Sequence, residues 1–216
     1  MRMPRSAPRL SRIARLIAGI VLSGTVRAAT PVVLSVAPGG KVWLEGDSTL
    51  HKYKASAKAF TLTGNALKKG APGLGGGPET EQLARAQEVG TLQLTLPVGQ
   101  LSSGEKGLDE NLQKAMKAAA FPNVVFKMAN YQVLQSATPQ ASMVLHLRGT
   151  LSMAGVERPV ELNAHADTVT RGLHLVGSKA LLMSDYGIKP PVLMGGLIKT
   201  ADQVMVRFDV ELVPSL

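Results

Sequence analysis

The sequence predicts an all-β protein with one short helix, folded as an eight-stranded antiparallel β-barrel around an apolar lumen. Alternation of apolar and polar residues dominates the chain, and this period of two is typical of strands with one buried and one hydrated face. About eight such segments follow one another, and eight strands is the number at which a closed barrel can hold one small ligand. A single segment departs from this pattern and has the spacing of a helix.

The last predicted strand shows the alternation most clearly. Apolar residues occupy the even positions from Val204 to Leu212, with Arg207, Asp209 and Glu211 between them. A wetted face opposite a buried face is expected of an antiparallel sheet. The same pattern predicts strands in the segments 92–98, 143–147, 160–166 and 173–175. Further strands are predicted near 41–47, 53–63 and 123–134.

The helix is predicted between Leu108 and Ala120, where apolar residues recur every three or four positions. We expect it to end before Pro122, because the residue preceding a proline avoids helical angles. The stretch 70–78 is rich in glycine and proline, which predicts a flexible loop. A short helical turn is predicted over 79–88, within the same insertion.

Residues 1–28 have the layout of a secretory signal peptide. Six arginines and no acidic residue surround the apolar run 16–22, and small residues precede Ala28. The apolar run is much shorter than the about 20 residues that span a bilayer, so no transmembrane anchor is expected after cleavage. We predict a mature single domain over 29–216, located in the periplasm or secreted.

The composition excludes several classes of function. The full chain carries a net charge of +9, but six of its 24 basic residues lie in the predicted signal peptide, which leaves 18 against 15 acidic residues. This small excess does not favour nucleic-acid binding, which needs clustered lysine and arginine. The absence of cysteine excludes disulfides, thiol catalysis and thiolate metal sites.

The corner between Asp47 and His51 contains the residue types of a hydrolase, with Ser48 and Thr49 between them. A catalytic triad normally brings together side chains from separate parts of a fold, whereas these are almost consecutive. No Gly-x-Ser-x-Gly elbow occurs in the chain. Aspartate and serine are also favoured at turns, because they bond nearby backbone groups. We therefore expect a structural corner, no catalytic residues and no enzyme.

The remaining histidines, His146, His165 and His174, fall in three consecutive predicted strands. Each alternates out of phase with its apolar neighbours, so all three are expected to point to solvent. Three histidines can bind zinc if the strand registers align them. Because the phase directs all three to solvent, we predict no metal site; no cofactor is expected either.

The inner face of the predicted barrel is where we expect a ligand. After His51, three lysines alternate with Tyr53, Ala55, Ala57 and Ala59, so small residues face inward if the lysines face water. Small inward residues leave volume unless side chains from opposite strands fill it. The predicted ligand-binding set is Tyr53, Ala55, Ala57, Leu94, Leu96, Phe126, Met128, Met143, Leu145, Leu162 and Phe208.

Four motifs resemble those of the YceI-like family, in the family's order. They are the run Trp43 to His51, the run Phe121 to Phe126 after the helix, the hairpin Gly149 to Val160, and the box Ser184 to Ile188 with tyrosine in place of phenylalanine. The resemblance implies a lipocalin-like barrel that is exported and encloses a polyisoprenoid or similar long-chain lipid, without a shared catalytic function. The Gly-rich insertion departs from the family pattern.

Two functions remain open at this point. The first is a lipid-binding protein for transport or storage, with the ligand in the lumen. The alternative is a periplasmic stress or structural protein with a packed barrel and a function at its surface. A third, more distant reading is an enzyme that uses a bound isoprenoid quinone. The sequence does not predict the oligomeric state.

Overall fold

The structure is a computed structural model that describes residues 30–68, 89–134, 142–170 and 172–215. The predicted signal peptide over 1–28, the loop over 70–78 and the helical turn over 79–88 lie outside these residues. Among the described residues, no helix is both long and apolar enough to cross a membrane.

The described part of the chain consists of strands and one α-helix. The strands are β1 (Thr30–Val36), β2 (Lys41–Ser48), β3 (Tyr53–Ala57), β4 (Thr61–Lys68), β5 (Val89–Pro97), β6 (Leu101–Ser102), β7 (Asn123–Leu134), β8 (Met143–Met153), β9 (Val156–Val169), β10 (Gly172–Leu182), β11 (Val192–Leu193) and β12 (Ile198–Pro214). The helix α1 spans Lys106–Ala115. The pairings between these strands are antiparallel.

These segments form eight long strands closed into a barrel, as the sequence predicts. β1 and β2 both pair with β12, so they act as one strand interrupted by the turn at 37–40. In the same way, β3 and β4 act as one strand, which pairs with β2 and β1. β6 and β5 act as the next strand, which pairs with β3 and β4. Neighbours in sequence are then neighbours in the sheet through β7, β8, β9, β10 and β12, and the β1–β12 pairing closes the ring.

The predicted strand over 53–63 is interrupted in the structure. β3 ends at Ala57, and the Lys58 N–H donates to the Gln100 carbonyl before β4 begins at Thr61. The expectation that Ala59 faces inward is wrong, since this side chain is exposed. Phe60 packs against both halves of the core instead. No strand was predicted over 30–36, where β1 supplies the pairs with β12 that close the barrel.

The helix is shorter than predicted, because α1 ends at Ala115 rather than near Pro122. Lys117 has a φ of 54°, in the left-handed region. The N–H of Ala118 donates to the Gln113 carbonyl and that of Lys117 to the Lys114 carbonyl. This is the Schellman pattern of helix termination, with a lysine at the position usually taken by glycine.

Candidate functional site

One end of the barrel interior is packed shut. Its side chains come from β1, β4 and the far ends of β7 to β10, and Leu34, Met143 and Leu173 are at most 1% exposed. Ala66 and Ala166 are also fully buried there. Close packing at native density leaves little room for a ligand at this end.

The other half of the barrel is hollow. An apolar cavity of about 160 Å³ lies between the packed end and the helix side of the barrel. Leucines and valines from strands all round the barrel form most of its wall, together with Phe126 and Phe208. Ala164 of β9 contributes a small side chain to the same wall. Among the described residues that line the cavity, Lys179 alone carries a charge.

A second cavity of about 100 Å³ lies under α1, whose Leu108, Leu112 and Ala115 form part of its lining. Five residues line both cavities, namely Leu44, Met116, Met153, Leu181 and Val206. Two of these five are methionines, which have flexible and polarisable side chains that adapt to the shape of a neighbour. The two cavities therefore share a wall that contains two flexible side chains.

The structure divides the predicted ligand-binding residues between these regions. Leu94, Leu96, Phe126, Leu162 and Phe208 line the first cavity, and Tyr53 lines the second. Ala55 is buried opposite Leu44 in the β2–β3 ladder. Ala57 is half-buried against the core cluster that contains Met116 and Met153. Met128, Met143 and Leu145 belong to the packed end and line neither of these two cavities.

Tyr53 gives the second cavity a polar group. Burial raises the pKa of its phenol above the ordinary value, and the negative charge of Asp47 raises it further. The hydroxyl therefore stays protonated at neutral pH and remains a hydrogen-bond donor. The ring also lies over Gly46, its partner across the β2–β3 ladder, where a Cβ would come within 2.2 Å of the ring. Glycine at this position lets the ring lie flat against the strand.

Asp109 fixes the helix that covers the second cavity. Its carboxylate accepts hydrogen bonds from the Ser103 N–H at 2.6 Å, the Ser103 hydroxyl at 2.7 Å and the Ser102 hydroxyl at 2.9 Å. These bonds, led by the one from the Ser103 backbone, hold the pKa of Asp109 below its ordinary value. They tie the first turn of α1 to the end of β6.

The corner after β2 has the hydrogen bonds of a turn. The Ser48 hydroxyl donates to the His51 carbonyl at 2.8 Å and accepts from the N–H groups of Leu50 and His51. The His51 ring lies 3.0 Å from the Lys52 carbonyl through Nδ1, and the Asp47 carboxylate accepts from the Ser48 N–H. The three side chains thus bond to backbone groups, as the structural interpretation of this corner predicts.

The three histidines lie on the outer face of the barrel, as their phase predicts. His146 contacts Asn163 and Glu161, and the His174 Nε2 lies 2.8 Å from an Asp209 carboxylate oxygen. The β8–β9 register offsets His146 and His165 by two residues, so they are not direct partners. In the part of the chain that the structure describes, no group of three or more histidine, aspartate or glutamate side chains is placed to hold a metal ion.

Sequence reasoning missed most of the residues that line the first cavity, and two of these, Ala164 and Lys179, differ from the large apolar side chains around them. Ala164 was predicted in a strand but not included in the lumen. Lys179 follows the predicted strand 173–175 in phase with Leu173 and Leu175, so continuing the alternation by four residues places it inward. A charged residue at an inward position is the signal that identifies it.

Comparison with known proteins agrees with this architecture. The family model for the YceI-like domain matches residues 52–212, which is more than half of the chain. A comparison with curated proteins gave no significant match.

Several solved structures share the fold at low sequence identity. BcnA of Burkholderia cenocepacia is 14% identical, with a TM-score of 0.59 over 81% of this chain and 96% of that one. A polyisoprenoid binding domain from Saccharophagus degradans, implicated in plant cell wall breakdown, is 10% identical, with a TM-score of 0.59 over 86% of this chain and 100% of that one. The YCEI protein of Campylobacter jejuni is 17% identical, with a TM-score of 0.53 over 76% and 85%.

Proposed function

The chain belongs to the YceI-like family, and on this premise we propose that it is an exported lipid-binding protein that holds a polyisoprenoid or similar long-chain apolar ligand inside the barrel. The observation that carries this proposal is the hollow half of the barrel, with its cavity of about 160 Å³. A cavity lined by apolar side chains has no partners for a polar solute, so it favours an apolar one.

The position of the second cavity supports a long ligand rather than a compact one. The two cavities are neighbours, and Met116 and Met153 lie in the wall between them. Movement of these flexible side chains would join both spaces into one channel that ends under α1. An unbranched or isoprenoid chain fits such a channel better than a globular molecule. A binding domain for polyisoprenoids has the same fold.

The role that we propose is transport or storage of the lipid in the periplasm or outside the cell. The predicted signal peptide over 1–28 motivates this location. No catalytic residues are part of the proposal, and the hydrogen bonds of Ser48 and His51 to backbone groups support that view. The intact mass of the exported protein tests the location, because cleavage removes residues 1–28 and retention of the full mass would contradict it.

Native mass spectrometry of protein purified from its own source tests the ligand. We expect a bound lipid that organic extraction releases, and rebinding of an added prenyl alcohol by the extracted protein. A protein that carries no extractable lipid and binds no added isoprenoid would overturn the proposal. That result would favour the alternative, a periplasmic stress or structural protein that acts through its surface, for which the packed end is the supporting observation.

A further inference from the structure

The barrel wall is open between β9 and β10 on the helix side. The two strands pair only from Gly172 with Val169 to Gly177 with Ala164. Beyond this point β9 continues back to Val156 and remains paired with β8, while β10 continues and remains paired with β12. In this part of the wall β9 is paired only with β8, and β10 only with β12. The wall therefore has a gap between β9 and β10.

A surface cleft of about 580 Å³ lies at this gap. Residues of both strands line it, and Val160, Lys179 and Leu181 line the inner cavity as well. Pro159 lies on the β9 side of the cleft. A proline has no N–H for a ladder and is typical of an unpaired strand edge. The cleft and the cavity thus share a boundary through which the lumen reaches the side of the barrel.

Lys179 lies at this boundary without a partner charge. It is half-buried, and in the described part of the chain no carboxylate lies within ion-pair distance of its ammonium group. Glu161 also lines the cleft, but it contacts Arg148 at 3.0 Å and His146 at 3.3 Å on the β8 side. A lysine can place its apolar stem along the cavity wall and its charged end in a wetter region.

Asp185 is the second acidic residue of the cleft, and Arg158 lies beside it. Arg158 donates from Nε to the backbone carbonyl of Asp185, so its position is fixed at the rim. The cleft therefore holds two cations, and among the described residues neither of them forms an ion pair with a carboxylate. A partly desolvated ammonium group is stabilised when an anion approaches it.

From this geometry we propose that the opening between β9 and β10 is a lateral portal, and that Lys179 binds the phosphate head of a lipid whose chain lies in the cavity. The inference rests on the proposed function, and it narrows the ligand class to lipids with an anionic phosphate or diphosphate head. Arg158 stands at the outer rim of the same site. The head stays in the cleft while the chain passes between Val160 and Leu181 into the apolar interior.

A matched pair of ligands tests the charge. Farnesyl diphosphate and farnesol share one chain and differ in the head, and their binding to the lipid-extracted protein is measured by calorimetry. We expect the wild type to bind the diphosphate about tenfold to a hundredfold more tightly, the range for a charge-assisted hydrogen bond. Lys179→Met should remove this preference and leave the affinity for farnesol unchanged. Lys179→Arg should retain it, and the exposed Lys127→Met is the control that should not alter it.

The possible outcomes separate the two proposals. Equal affinity of the wild type for both ligands, or a preference that survives Lys179→Met, would overturn the head-group site but leave the lipid-binding function standing. Failure to bind either ligand would remove the lipid-binding function itself. Inorganic diphosphate that binds as tightly as farnesyl diphosphate would show a site for free anions and would also overturn the inference.

The portal has its own test, for which the absence of cysteine is convenient. Glu161→Cys with Ala180→Cys places one thiol on each side of the cleft, and a bifunctional thiol reagent then links β9 to β10. We expect the link to slow the exchange of a fluorescent prenyl lipid severalfold. The control links Glu161→Cys to Arg148→Cys, a pair that is already in register across β8 and β9. Exchange at an unchanged rate in the first variant would overturn the portal.

Discussion

Two alanines on the inner face of β9 allow the hollow and the packed half of the barrel to be compared directly. Ala164 and Ala166 are each 1% exposed and lie two residues apart on the same face of the strand. Both alanines belong to the same buried cluster, but Ala164 also lines the first cavity and Ala166 does not. Replacing each by leucine adds the same atoms to the same strand, so the difference between the two variants depends on the space available.

The structure predicts opposite signs for these substitutions. The added leucine atoms at Ala164 enter an apolar space of about 160 Å³. Burial of three additional carbons is worth about 0.8 kcal/mol each, so Ala164→Leu should stabilise the ligand-free protein by at most about 2.4 kcal/mol. Ala166→Leu forces the same atoms into a filled core and should destabilise it by about 1–3 kcal/mol. Urea unfolding of the lipid-extracted variants measures both free energies.

The same variants report on the ligand. Ala164→Leu takes up volume that the lipid would occupy, so it should fold well and retain less lipid than the wild type. Ala166→Leu should lose stability while any folded protein retains lipid normally. If both variants were destabilised by similar amounts, with unchanged lipid content, the cavity would not be a ligand site and the reasoning would be refuted.

Three further predictions concern the elements around the cavity. Lys117→Gly should stabilise the protein by about 0.5–1 kcal/mol in thermal unfolding, because glycine adopts the positive φ of the helix terminus without strain; a loss of stability would contradict this account. Asp109→Asn should destabilise the protein at neutral pH. Because the folded-state pKa of Asp109 is lowered, its contribution is present above the ordinary value of 3.8 and is lost as the pH falls through the folded-state value. Unfolding measured across pH 2–7, a range chosen about that value, should therefore show the two proteins converging in acid, and a constant difference would exclude this role of the carboxylate. Ser48→Ala should cost at most about 1 kcal/mol and leave lipid retention unchanged; an esterase activity that this change abolished would make the corner catalytic.

Period-two alternation was sufficient to predict the barrel, because each long strand has one face in the core. It failed where the strands break. Ala59 follows the alternation of β3, but it lies between β3 and β4, where the neighbouring strand changes from β2 to β1. Phe60 takes the inward position instead. A second interruption occurs in β7, where the register shifts between Met128 and Asn130 and the inward phase continues from Tyr131. Local sequence does not specify such shifts, since they depend on which strand lies opposite.

The candidate site was predictable only in part, for a different reason. The inward phase of Leu94 and Met143 is equally clear in the sequence, yet one lines the cavity and the other is buried in the packed end. Whether an inward side chain meets empty space depends on residues from distant strands, such as Leu34 of β1, which fills the packed end. Alternation reports the direction of a side chain and not what it meets.

Three of the four family motifs are in contact with one another at the helix side of the barrel. They are the run Phe121 to Phe126, the hairpin Gly149 to Val160 and the box Ser184 to Ile188. The Phe121 ring lies over Gly155, where a Cβ would come within 2.5 Å of it, and a Cβ at Gly149 would likewise meet the Phe126 ring at 2.7 Å.

The two phenylalanines of the preceding motif therefore pack against the two glycines of the hairpin motif, where a Cβ at Gly149 would also meet the Lys127 carbonyl oxygen at 2.3 Å. Arg158 of the hairpin donates to the Asp185 carbonyl of the Ser184–Ile188 box, beside the αL glycine Gly187. These contacts fix the position of the wall at the mouth of the cavity. Ala164 and Lys179, which set the volume of the cavity and the charge at its portal, lie outside all four motifs. If the proposed function is correct, the scaffold and the preference for a ligand are specified by different residues.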